Sequence, residues 1–242
     1  LLFEIKKIKA ELSSNLKLFL KYLLFMGVSL FLGTFLQQAA LQYTNIANAA
    51  FFTVFYVPLV PILLFIIYSK KVHWSIWPAI GLCVLGVYFL SDFSNSQIML
   101  GDGLVILCSV FWALHIIYAG KFMEVFNIPI FYAALQALFV ALLSILFSYI
   151  FEEINFSKIL MESSSILYAG ALSGGIAFTL QMYAQKNIEE APAAIIYSLE
   201  GVFAAIAGWI ILNQFLSMNN MIGCFLILIA VISSQISPSS KN

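Results

Sequence analysis

The sequence predicts an all-α polytopic membrane protein built on inverted five-helix repeats. Three observations carry this: eight successive apolar runs, lysines that fall almost wholly on alternate junctions between them, and an echo between the first three runs and the last three. Composition agrees, since 63% of the 242 residues are hydrophobic and 9% are charged, against roughly 25% charged in a soluble domain.

The expected spans are Tyr22–Leu41, Ile46–Tyr68, Trp74–Leu90, Gly103–Met123, Ile128–Phe151, Ile166–Tyr183, Ala191–Leu212 and Met218–Ile236. Each is close to the roughly 20 residues that cross a bilayer core as a helix. Barrel strands would alternate apolar and polar residues, whereas Pro61–Tyr68 and Ile222–Ile232 are apolar on every face. In the second span, Pro58 and Pro61 each remove a backbone donor and predict a kink about one turn earlier. In the sixth, Gly170, Gly174 and Gly175 predict a close helix approach, as do Ala204, Ala207 and Gly208 in the seventh.

Lysines near span ends stay on the cytoplasmic side during insertion. Lys6, Lys7, Lys9, Lys17 and Lys21 precede the first span, Lys70 and Lys71 follow the second, Lys121 ends the fourth, Lys186 follows the sixth and Lys241 lies in the tail. All ten share one side, and only Lys158, among Glu152, Glu153 and Glu162, falls on the other. Both termini are therefore expected in the cytoplasm. Cys83, Cys108 and Cys224 fall in three different spans, as small apolar residues would.

Leu36-Gln37, followed by Ala49 and Ala50, recurs as Leu180-Gln181, then Ala193 and Ala194, 144 residues later. Ile80-Gly81 recurs as Ile222-Gly223 at an offset of 142. Three matched spans and the two between them make an odd repeat unit of five helices, so the second copy enters the membrane from the opposite side. Such inverted repeats underlie many secondary transporters. On this reading residues 1–101 are the last three helices of a first repeat, residues 102–242 are a complete second repeat, and eight of an expected ten helices are present. Leu1-Leu2-Phe3 is then the last turn of an earlier helix and Glu4–Lys17 a charged cytoplasmic connection.

The stretch Ala177-Phe178-Thr179-Leu180-Gln181-Met182-Tyr183-Ala184-Gln185-Lys186, continued by Ala193 to Ala205 with the run Tyr197-Ser198-Leu199-Glu200-Gly201, resembles the second EamA repeat of the drug/metabolite transporter superfamily. Phe51 to Pro61 resembles the corresponding helix of the first repeat in bacterial members, and Gly101-Asp102-Gly103-Leu104 with Phe111 to His115 resembles the opening of their sixth helix. The resemblance implies a permease that moves small metabolites across the bacterial inner membrane, outward, with no cofactor. Two departures stand out. Gly201 replaces the usual proline after the glutamate, which is expected to straighten that helix, and Asn213-Gln214 replaces a usual Gly-Glu, which removes an acid near the helix end.

No HExxH, GxxxxGK[ST] or GxSxG motif is present, and His73 and His115 lie apart without clustered metal ligands. The chain has no arginine and no basic face for nucleic acid. The expected partners are the lipid bilayer and a small-molecule substrate, with proton coupling as one role for Glu200.

Glu200 stands near the middle of its span, where a carboxylate costs at least roughly 2.5–3.5 kcal/mol and must meet protein or water. It is either a substrate-cation or proton site, or a structural acid bonded to a neighbouring helix. His115 could reach Glu200 if their helices touch, or could bond a backbone carbonyl. Gln37 and Gln181, equivalent in the repeat, either line a central cavity or join helices. Trp112 shares a helix face with His115, and Tyr56 is the repeat equivalent of Glu200. Trp112, Tyr56 and Tyr197 are candidate cavity-wall residues for amphipathic or aromatic solutes, against the alternative of ordinary packing. The other class weighed is a membrane sensor or assembly protein that keeps the fold without transport, alongside an inactive truncated transporter.

Overall fold

The computed structural model describes residues 5–93 and 97–236, and all regular structure among them is helical. Among the described residues, seven helices are long and apolar enough to cross a membrane: Asn15–Ala40, Ile46–Tyr68, Asp102–Val125, Pro129–Phe151, Ser163–Gln185, Glu190–Leu212 and Met218–Ile236. The expected span Trp74–Leu90 is shorter, running from Ile76 to Leu90 over 15 residues. At 1.5 Å per residue it covers about 22 Å. A turn closed by the 2.8 Å hydrogen bond between His73 Nδ1 and Ser75 Oγ precedes the helix, and Trp74 is left outside it.

In chain order the helices are α1 (Ile5–Ala40), α2 (Ile46–Thr53), α3 (Tyr56–Tyr68), α4 (Ile76–Leu90), α5 (Asp102–Val125), α6 (Pro129–Phe151), α7 (Phe156–Met161), α8 (Ser163–Tyr168), α9 (Phe178–Gln185), α10 (Glu190–Tyr197), α11 (Leu199–Leu212) and α12 (Met218–Ile236). A π-helical stretch, Ala169–Ala177, joins α8 to α9. The chain divides into two compact units, Leu1–Phe31 with Tyr118–Asn187, and Leu32–Ile117 with Ile188–Asn242.

The first unit is organised by aromatic rings. Phe19 meets Phe122, Phe126 and Tyr132 edge-on, with centroids 5.7 to 5.9 Å apart, and Met26, Ile128 and Met182 complete the buried cluster. Gly27 leaves room where α1 passes Phe139, because a Cβ there would collide with that ring. The glycines expected to admit a close helix neighbour do not do so. A Cβ on Gly170 would meet nothing within 4 Å, and on Gly174 or Gly175 only the backbone of their own π-helical stretch. Without side chains they accommodate a wider backbone turn instead of another helix.

The second unit is built on two broken spans. Pro58 cannot donate to the Val54 carbonyl, which takes the Val57 N–H instead at 2.9 Å, while Phe55 N–H donates to Phe52 O at 3.2 Å. The break between α2 and α3 thus lies one turn before Pro58, as expected. The span Glu190–Leu212 is not straightened by the absence of proline; it too is broken, at Ser198. Ser198 N–H donates to Ile195 O at 3.2 Å, Gly201 N–H to Ser198 O at 3.2 Å, and the Ser198 hydroxyl to Ile195 O at 2.6 Å. A side-chain hydrogen bond back to the preceding turn bends a helix without any proline.

The 144-residue offset extends from sequence to geometry. Ile46 to Thr53 correspond to Glu190 to Tyr197, and Tyr56 to Glu200. Both spans end in a left-handed residue, Ser69 at φ 53° and Asn213 at φ 51°. Each is followed by the same bond, Lys70 N–H to Leu64 O at 3.3 Å and Gln214 N–H to Gly208 O at 3.1 Å. Asn213 thus occupies the left-handed cap position where glycine is commonest. Gln214 folds over Gly208, so that a Cβ there would meet its Oε1 at 2.6 Å. Ala204 and Ala207 are exposed, and this segment provides no close helix approach.

The close approach lies elsewhere. A Cβ on Gly223 would stand 2.5 Å from Gly86 O, and one on Gly86 would be 2.7 Å from Ile227 Cγ1. Further along, Asn220 Nδ2 donates to Leu90 O at 2.8 Å. Numbering falls along one helix as it rises along the other, so α4 and α12 run antiparallel.

Candidate functional site

Six of the seven candidate residues fall in the second unit, and three meet where its spans break. Tyr56 opens α3 and Glu200 lies in the first turn of α11. Tyr56 is within electrostatic reach of Glu200, Cys83 and Tyr197. The Tyr56 and Tyr197 hydroxyls are buried and accept or donate no hydrogen bond. Glu200 is exposed, and among the described residues it has no hydrogen-bond or ion-pair partner. The two hydroxyls are thus left unpaired at mid-span, where buried polar groups are ordinarily hydrogen-bonded.

Gln37 reaches the same break from α1. Its Nε2 donates to Thr53 Oγ1 at 3.3 Å, and that hydroxyl donates to Ala49 O at 2.7 Å. Trp112 lies against Gly33, whose Cβ would be 3.4 Å from the indole, and packs onto the cluster that contains Tyr56. His115 is buried one turn further along, edge-on to Trp112 with centroids 6.2 Å apart. Gln181 belongs to the first unit, where its Nε2 donates to Gln185 Oε1 at 3.3 Å.

Sequence reasoning missed two polar ties at the ends of the second unit. Asp102 is buried and accepts from Thr44 Oγ1, from Asn48 Nδ2 at 2.8 and 3.1 Å, and from Met99 N–H at 2.7 Å. Asn48 also donates to Gln97 O at 2.9 Å. The carboxylate at the start of α5 thus fastens the turn after α1 to the loop before α5, and helix polarity favours an acid there. The Gly101-Asp102-Gly103 sequence was the available signal. At the second tie, Lys70 Nζ pairs with Glu190 Oε2 at 3.2 Å and with Glu189 Oε2 at 4.0 Å. It joins the two loops, after α3 and before α10, that the lysine pattern assigns to one side.

The match to known proteins follows this architecture. The family model of the EamA-like transporter family matches residues 99–234, more than half of the chain. An uncharacterized transporter from Archaeoglobus fulgidus is 33% identical over 206 residues, covering 85% of this chain and 66% of its own length. A solved crystal structure of a protein superposes with a TM-score of 0.72 at 17% identity, over 88% of this chain and 76% of the other, and shares the fold. The chain belongs to the EamA-like transporter family, and with seven membrane-length apolar helices it is an integral membrane protein. It spans about two thirds of the length of its Archaeoglobus relative.

Proposed function

We propose that the protein is a secondary transporter that moves small metabolites or amphipathic solutes outward across the bacterial inner membrane by alternating access, with both termini in the cytoplasm. Its architecture on this reading is two inverted five-helix repeats, residues 1–101 and 102–242, with ten helices in the complete arrangement. The 144-residue correspondence between the broken spans and the antiparallel run of α4 and α12 support the inversion.

The observation that carries the reading is the pair of buried, unpaired hydroxyls of Tyr56 and Tyr197, with Glu200 within electrostatic reach of Tyr56. A carboxyl group at mid-span must be neutralised by a proton, a cation or water. Glu200 takes the cationic end of the substrate or a proton exchanged for it. Tyr56 and Tyr197 supply hydroxyls and ring faces, Trp112 a wall, and Gln37 and His115 further polar contacts. Release of radiolabelled benzylamine from proteoliposomes tests this, with benzyl alcohol and benzoate as matched neutral and anionic probes. Preferential, Glu200-dependent release of the amine supports the cation reading, and equal release of all three probes refutes it.

A further inference from the structure

On the 144-residue offset, the pair α3 and α10 corresponds to the pair α11 and α2. In the first pair the helices pack on each other, and Val57, Val60 and Leu64 of α3 share one buried cluster with Ala191, Ala194 and Ile195 of α10. Their counterparts in the second pair are not buried in this way. Ala50, matched to Ala194, and Ala204, matched to Val60, are exposed, and Ile46, matched to Glu190, is 80% exposed. The first crossing is closed and the second is open.

Charge follows the same division. Lys70, just past α3, pairs with Glu190 at the start of α10 at 3.2 Å, where the Glu190 side chain is fully buried and that of Lys70 is 25% exposed. At the matched positions stand Gln214 and Ile46, which can form no ion pair. Gln214 folds over Gly208 instead, and Asn45, matched to Glu189, caps α2 by accepting the Asn48 N–H at 2.7 Å. Parting α3 from α10 separates Lys70 from Glu190, and a buried pair that loses one partner leaves an uncompensated charge. We propose that Lys70 and Glu190 form a latch that holds the cytoplasmic end of the α3 and α10 crossing shut, and so favours the state in which the mirrored crossing is open. The latch takes its role from the alternating-access reading above and its side from the lysine pattern, but its hold on the crossing is tested without any solute.

The test is the labelling rate of Ala194→Cys, a fully buried position one turn along α10 from Glu190, in a protein without Cys83, Cys108 and Cys224. A cationic and an anionic methanethiosulfonate are both used, so that local charge does not decide the rate, on inside-out and right-side-out membrane vesicles. Glu190→Gln is expected to raise the rate from the cytoplasmic face by about tenfold or more, because the crossing then opens without separating a buried pair. Exchanging the charges, Lys70→Glu with Glu190→Lys in a Glu189→Gln background, is expected to return the rate to that of Glu189→Gln alone. Ala50→Cys, on the mirrored crossing, is expected to label more slowly from the outer face once the latch is broken. An unchanged rate at Ala194→Cys, a raised rate that the exchange fails to lower, a rise confined to the outer face, or an unaltered rate at Ala50→Cys overturns the proposal. If Glu190→Gln does not fold, Lys70→Gln is read in its place by the same criteria. The expected labelling in a protein that releases none of the probe solutes would support the latch and count against the transport function.

Discussion

At the scale of single residues, groups that the protein satisfies differ from groups it leaves open. The Tyr56 and Tyr197 hydroxyls are buried without partners, and such a group typically costs about 1–3 kcal/mol. Tyr56→Phe should therefore melt at the same or a higher temperature than the parent while weakening benzylamine retention; lowered stability with unchanged retention would show that the hydroxyl is structural. Asp102 is the opposite case, a buried carboxylate that accepts from Thr44, Asn48 and Met99. Asp102→Ala strands those donors and should destabilise by about 2 kcal/mol or more, read as a clear drop in melting temperature. An unchanged melting temperature would mean that water replaces the carboxylate at no cost.

At the scale of elements, Gly86 and Gly223 on the antiparallel pair α4 and α12 admit no side chain, because a new Cβ would meet backbone within 3 Å. Gly223→Ala should cost about 1–3 kcal/mol through overpacking. Gly170→Ala, with nothing within 4 Å, should leave the melting temperature nearly unchanged. Equal effects would contradict this packing. Element type and order were legible in the sequence because apolar run length is a strong signal, and the Pro58 kink followed from one missing donor. The break at Ser198 was not, since a hydroxyl bends a helix only when its own turn takes the bond, as Ile195 O does here. Glycine spacing failed for a related reason: Gly170 and Gly174 carry the same pattern as a helix crossing, but which glycine meets a partner is decided by tertiary packing.

At the scale of the whole molecule, the candidate site was legible as residue types at mid-span, and the repeat offset connected Tyr56 with Glu200 before any geometry. Their nearness to Tyr197 and Cys83 depends on how the broken helices pack, which no spacing reveals. Orientation is tested by single cysteines in a background without Cys83, Cys108 and Cys224: a membrane-impermeant reagent added outside should label Ile98→Cys and not Lys71→Cys, and the reverse would invert the topology. Glu200 is proposed to carry the solute or the proton that moves with it. The most direct measurement is the pH profile of benzylamine release from proteoliposomes by the parent and by Glu200→Gln, which keeps the shape and removes the titratable charge. The expected result is release that is abolished or independent of pH in the variant, at unchanged melting temperature. Release equal to the parent's, with the same pH profile, would contradict it.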